Sequence, residues 1–343
     1  MSAIAASLPR PLRRLLTGAA VMLLAAVTVS LWQALAPTAP NTARETTLHA
    51  ASSDLVRWQG QLQRTPTNTY ATAQLGLALL QEARVTGDPA RYAQAQTALD
   101  QALAADPQQI DALVGQGMLA LSRHDFTGAL AWADAAQAVN PFRADVWGIR
   151  VDGLVELGRY PAAVDAAQRM VDLRPGLEAY SRIAYLRELH GDVDGAIDAM
   201  QAAVDAGLPN EERTLWSQVQ LGQLYAGRGQ VDRAEEMYNA ALTAAPAYLP
   251  AQAGLAQLDA VRGDTARAIA RYRTVVAQLP QPDYVIALGD LYLAAGDQAA
   301  ANAQFELALA LQDLNAAAGM DVDLELARFL ADHGDGVQRA QAV

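Results

Sequence analysis

The side chains with most chemistry to offer are four histidines, three clustered carboxylates and two arginines. His49, His124, His190 and His333 could ligate a metal through imidazole nitrogen. The last three lie where predicted helices end, in structural units that are not neighbours. Packed helices stand roughly 10 Å apart, so these rings cannot share an ion. A ring near a helix C-terminus, favourable to the helix dipole, is the simpler reading. Asp145, Asp152 and Glu156 fall in one helical stretch, with Asp152 and Glu156 four apart on one face. A catalytic acid pair needs one carboxyl desolvated and held protonated, and no apolar surround is written around either. Ser122, Ser181 and Ser217 lack the glycine frame of a nucleophile elbow, and no phosphate-cradling glycine loop is present. The residues point away from catalysis, with no cofactor and no metal. Arg182 lies close to Tyr180 and Tyr185, where it could hold a carboxylate bidentately or pair within the chain. Arg150 stands where an apolar core residue is expected, so it must reach solvent or meet an acid.

The elements that position these residues are set by a proline ladder. Pro107, Pro141, Pro175 and Pro209 are each 34 residues apart, and Pro246 and Pro280 resume the spacing after three added residues. Such fixed self-similarity marks stacked helix–turn–helix units. Residues 215–246 carry the clearest copy: Leu221-Gly222, Tyr225, Gly229, Ala234, Tyr238, Ala241 and Pro246. Small residues allow helix A and helix B to approach. Gly229 supplies the left-handed residue that ends helix A, and Pro246 stops helix B. Further copies show Gly158, Gly191-Asp192, Gly263-Asp264 and Gly296-Asp297 at the A–B turn. About seven extra residues around Thr86-Gly87-Asp88-Pro89 are expected to lengthen the first turn.

These residues resemble the tetratricopeptide-repeat pattern, with Gln218 where the family usually has tryptophan. The resemblance implies an all-α solenoid: helix–turn–helix repeats in a right-handed superhelix, seven of them over residues 69–320. It also implies a concave surface built from the A helices that holds a peptide or a partner helix. The A-helix positions that usually face such a groove give Asp145, Asp152, Arg182, Leu186, Trp216, Val219 and Gln223, with Tyr180 beside them. Gly148, Val155 and Ala179 fall on the same positions. The Lys and Asn that clamp acidic tails in some relatives are not matched here. Residues 48–66, with Leu55, Trp58 and Leu62, are expected to form an N-terminal capping helix. Residues 321–343 read as an incomplete eighth repeat with Leu324, Ala327 and Leu330 inward.

In front of the array lies a different object. Residues 1–14 carry Arg10, Arg13 and Arg14, and Leu15 to Ala36 is an uncharged run of 22 residues. That is long enough to span a bilayer, with the arginines favouring a cytoplasmic N-terminus and an extracytoplasmic body. Ala34-Leu35-Ala36 fits a signal-cleavage pattern, but Pro37 directly follows it, so a retained anchor and a cleaved signal that leaves a secreted or periplasmic chain both remain open. Residues 37–47 read as a linker. The chain has 343 residues, no cysteine and a net charge of −12, with arginine as its only basic residue besides histidine. An acidic body repels nucleic acid. The expected role is a non-enzymatic, membrane-tethered scaffold for a protein or peptide partner. The alternative is a structural subunit of an envelope complex that docks through the unfinished repeat. The oligomeric state is not encoded in any motif.

Overall fold

The computed structural model describes residues 44–334. The charged leader and the apolar run Leu15 to Ala36 lie outside the described residues. Among the described residues there is no strand, and no helix is long and apolar enough to cross a membrane. Sixteen helices follow one another. A first helix, α1 (Arg44–Arg64), precedes seven A/B pairs: α2/α3 (Thr69–Thr86, Ala90–Ala105), α4/α5 (Ile110–Ser122, Phe126–Val139), α6/α7 (Ala144–Glu156, Tyr160–Leu173), α8/α9 (Leu177–Leu189, Val193–Ala206), α10/α11 (Glu212–Gly227, Val231–Ala244), α12/α13 (Leu249–Val261, Thr265–Gln278) and α14/α15 (Pro282–Ala294, Gln298–Ala317). A last helix, α16 (Asp323–His333), stands in the place of another A helix.

The A–B turns follow from a two-residue code. Gly191, at φ 78°, ends α8 in the left-handed conformation that glycine adopts without a Cβ clash. Its N–H donates to the Glu188 carbonyl and the Asp192 N–H to the Arg187 carbonyl, both at 2.9 Å. The Asp192 carboxylate then accepts from the Gly195 N–H at 3.0 Å and caps α9. Asp125, Asp264 and Asp297 cap their helices in the same way. At the second unit the glycine is replaced by His124, which takes φ 60°.

The core is a series of apolar clusters along the stack, and the largest fully buried side chain is Tyr238 of α11. The tyrosine ring lies between two glycines. A Cβ on Gly222 would stand 2.5 Å from it, and one on Gly254 of the next unit 2.6 Å. Gly222 and Gly254 thus make room for a ring, as Gly289 does for Phe305, while Gly76 in the first unit admits Leu99. The Tyr238 ring in turn joins α10, α11 and α12, which is how adjacent units share one core.

Arginines at the ends of A helices fasten neighbouring units. Arg123 donates to Gln96 at 2.8 Å, Arg228 to Asp194 at 2.8 Å and Arg262 to Glu235 at 2.5 Å, each reaching back to the preceding B helix.

Four details depart from the sequence reading. The first helix begins by Arg44 rather than at residue 48, so the linker expected through residue 47 is shorter. The extra residues of the first unit prolong its A helix rather than its turn: α2 has 18 residues, against 13 in α4. The three added residues before Trp216 likewise lengthen α10 to 16. In α16, Leu324 points outward at 79% exposure, while Phe329 is buried and stacks on His333 at 4.9 Å. Leu330 packs partly inward, as expected.

Candidate functional site

The expected groove residues divide into two groups. The first is an internal polar ladder between A helices. Arg182 Nε and one terminal nitrogen donate to the two Asp152 oxygens at 2.8 and 2.7 Å, and the other terminal nitrogen donates to the Glu178 carbonyl at 2.9 Å. Its guanidinium lies flat over Gly148, where a Cβ would stand 3.1 Å away. Burial disfavours the Arg182 charge, and Asp152 with Glu178 more than offsets this, so its pKa is raised. Arg182 is thus satisfied within the chain, and Asp152 is its partner rather than a second groove charge. Asp145 is held by Arg143 through Nε at 3.0 Å, and Arg143 also reaches Asp111 at 2.9 Å. Gln74 extends the ladder to Asp111 at 3.1 Å. Arg150 pairs with Asp134 and donates to Gln137 at 2.7 Å, which resolves its misplaced charge.

Leu186 does not present its side chain to an open groove, and Val219 reaches one only at the base of the cleft described below. Both are core residues, packed between A and B helices. Ala179, Val155 and Gly148 are buried as well. Tyr180 is partly buried against the same core as Val219. At Leu186 the position rule gives way to packing against the neighbouring B helix, where Ala163, Ala166 and Ala167 share its cluster.

The second group lines a cleft of about 230 Å³. Trp216, Gln220 and Gln223 of α10 form one wall, with Val219 at its base. Tyr248, Leu249 and Pro250 at the entry to α12 form the next, followed by Gln278, Leu279, Gln281 and Tyr284 around the entry to α14. Arg84 and Val85 close the far side, although they come from the first unit. Trp216 lines the cleft and is 36% exposed, so part of its large side chain is open to it. Arg84 forms an ion pair with Glu212, 128 residues away, and the Tyr248 hydroxyl donates to the other Glu212 oxygen at 3.3 Å. Burial and the Glu212 charge push the Tyr248 phenol upward, and burial carries Tyr284 up to about 12. Both tyrosines are therefore neutral hydrogen-bonding groups at ordinary pH.

Sequence reasoning missed Arg84, Glu212, Tyr248 and Tyr284. The signal for the first two was present, since both lie in segments that interrupt the 34-residue spacing. The histidines stay apart: His190 Nδ1 bonds the Leu186 carbonyl at 2.7 Å and His333 Nε2 bonds Asp290 at 2.8 Å. Among the described residues no group of three or more His, Asp or Glu side chains could hold a metal.

Family models for the tetratricopeptide repeat match residues 80–144 and 150–210, and a second such model matches residues 225–291, together more than half of the chain. The chain belongs to the tetratricopeptide-repeat family. No curated protein matches it in sequence. Solved structures share the fold. Human IFIT1, a dimer with PPP-AAAA, superposes with a TM-score of 0.58 at 15% identity over 77% of this chain. This tetratricopeptide-repeat chain spans 64% of that IFIT1 chain. The APC/C hetero-tetramer Cut9–Hcn1 gives a TM-score of 0.56 at 16% identity, covering 72% of this chain and 46% of that one. A tetratricopeptide repeat protein from Parabacteroides merdae gives 0.50 at 18% identity, covering 71% and 97%. At these identities the likeness is one of fold.

Proposed function

We propose that this protein is a non-enzymatic interaction scaffold that seats a peptide segment of a partner protein in the cleft of α10, α12 and α14. The observation that carries the reading is the chemistry of that cleft. A partly exposed tryptophan stands beside two neutral tyrosines and four glutamine amides. Such a lining buries an apolar side chain and hydrogen-bonds peptide groups without selecting for charge. Its one cation, Arg84, is already matched by Glu212. IFIT1 is solved with triphosphate-bearing oligonucleotides, but a net charge of −12 and a charge-balanced cleft favour a polypeptide over a polyanion here. The sequence run Leu15 to Ala36 supports the second half of the reading: an extracytoplasmic array tethered to, or exported across, the cell membrane.

Two experiments test this. Partners recovered with the wild-type chain from its own cells are compared with those recovered by Trp216→Ala and by Arg169→Ala on the outer helix α7. The reading requires loss with the first and retention with the second; equal recovery from both removes the cleft as the site. For location, the cysteine-free chain is given one cysteine by Asp54→Cys. Labelling of intact cells by a membrane-impermeant maleimide is expected, and labelling only after lysis contradicts it.

A further inference from the structure

The two irregularities of the repeat ladder meet in space. A regular A helix here has 13 residues, as in α4, α6, α8, α12 and α14. The extra length of α2 is at its C-terminal end, since its start keeps the regular distance from the preceding proline. That end carries Glu82, Ala83, Arg84, Val85 and Thr86. The extra turn of α10 is at its N-terminal end, since Gly222 stands ten residues after the first of α10, where Gly76 and Gly289 stand seven after the first of α2 and α14. That turn carries Glu212, Arg213 and Thr214. Arg84 and Glu212 are ion-paired. Each insertion thus supplies one partner of a contact that a regular array would lack.

The contact is part of a longer seam. A Cβ on Gly87, just past α2, would stand 3.1 Å from Leu279 at the entry to α14. One unit further along, the A–B turn of α4/α5 meets the entry to α16. The Asp321 N–H donates to the Arg123 carbonyl at 3.0 Å, and His124 Nδ1 lies 2.7 Å from the Asp321 carbonyl. The A–B edge of the first two units therefore rests on the entry edge of the last three A helices and α16. One turn of the superhelix closes on itself, and the cleft lies on that closure.

We infer that this seam is a gate on the cleft, held shut by charge attraction between the two insertions and opened for partner entry. The inference rests on the cleft reading above for its purpose, but its mechanism is a property of the chain alone. The contacts across the seam are polar and local: a partly exposed ion pair at Arg84 and Glu212, the approach of Gly87 to Leu279, and hydrogen bonds between the His124 turn and Asp321. By contrast, the joints between successive units bury whole helix faces. When the superhelix flexes, it yields at the seam and the repeats stay intact.

The absence of native cysteine allows a clean test. Spin labels are placed at Gln94→Cys on α3 and Thr274→Cys on α13, two exposed sites on opposite sides of the seam. The distance between them is measured in three backgrounds: parent, Arg84→Glu, and the charge swap Arg84→Glu with Glu212→Arg. In a separate series Val219→Cys, at the base of the cleft, is alkylated with N-ethylmaleimide in the same backgrounds. Arg84→Glu is expected to raise the long-distance population and the alkylation rate about five-fold, with 0.5 M salt moving the parent the same way. The swap is expected to restore both, with circular dichroism unchanged throughout. Distances or alkylation that ignore Arg84→Glu, or a swap that fails to restore them, overturn the gate. Neither readout involves a partner, so the cleft reading fails or stands separately, on recovery with Trp216→Ala.

Discussion

Replacing Gly254 by alanine tests the packing that joins the units. Gly254 sits inside α12, where alanine normally stabilises a helix by up to about 1 kcal/mol relative to glycine. Here the new methyl would stand 2.6 Å from Tyr238, a ring that is fully buried and pressed from its other side by Gly222. The ring has no free side to move into, so overpacking of about 2–3 kcal/mol outweighs the helix gain, and the net loss is about 1–2 kcal/mol. Gly227→Ala is the control: it lies at the end of α10 with nothing within 4 Å of a Cβ, and it is expected to stabilise by about 0.5 kcal/mol. A third variant separates ring from hydroxyl. The Tyr238 Oη is buried and makes no hydrogen bond among the described residues. Removing an unsatisfied buried hydroxyl relieves its desolvation cost, so Tyr238→Phe is expected to be neutral or stabilising by about 1 kcal/mol. Urea unfolding followed by circular dichroism reads all three. Equal stability of Gly254→Ala and its parent, or a loss above about 1 kcal/mol in Tyr238→Phe, would refute the account of how adjacent units share a core.

Alkaline unfolding follows from the buried tyrosines. Tyr238 and Tyr272 are pushed up to about 12 by burial, Tyr238 with help from Tyr272. Unfolded tyrosine ionises near 10, so above that pH the unfolded state releases protons that the folded state retains, and stability falls between about pH 10 and 12. Keeping Tyr238 neutral up to about pH 12 corresponds to about 3 kcal/mol of stability lost over that range, and Tyr238→Phe should reduce the fall; a stability curve flat to pH 12 contradicts the burial. For the polar ladder, a double-mutant cycle on Asp152→Ala and Arg182→Ala is expected to give a coupling of about 1 kcal/mol, since the pair is bidentate but partly exposed. A coupling near zero would return Arg182 to the role of a free groove cation. Restoring regularity to α2 by deleting residues 82–86 should leave helix content per residue unchanged and raise the long-distance population between labels at positions 94 and 274, as Arg84→Glu does.

The repeat architecture was legible because its signals are local. The proline spacing located the B-helix ends, and Gly191-Asp192 and its counterparts marked each turn by needs that two residues satisfy. Burial within the A helices was less legible. Leu186 and Val219 sit at nominal groove positions, yet how far a side chain stays open depends on the curvature summed over several units, and no single unit records that. Leu324 and Phe329 show the same limit at the last helix, where rotation is set by packing of Phe329 and His333 on Phe305 of α15 rather than by the pattern of α16 itself. Arg228 and Arg262, also 34 residues apart, were not singled out in the sequence, although both fasten a unit to the preceding one. Arg84 and Glu212 could be flagged as lying in irregular segments. That they face each other is a consequence of superhelical closure, which brings together residues 128 apart.

The central claim is that α10, α12 and α14 wall a partner-binding cleft. A photoreactive residue introduced at Gln223, exposed on the α10 wall, tests it most directly when compared in living cells with the same residue at Arg169 on α7. A discrete cross-linked partner from position 223, lost on Trp216→Ala and absent from position 169, is the result this account predicts. Cross-links from position 169 with none from position 223 would contradict it.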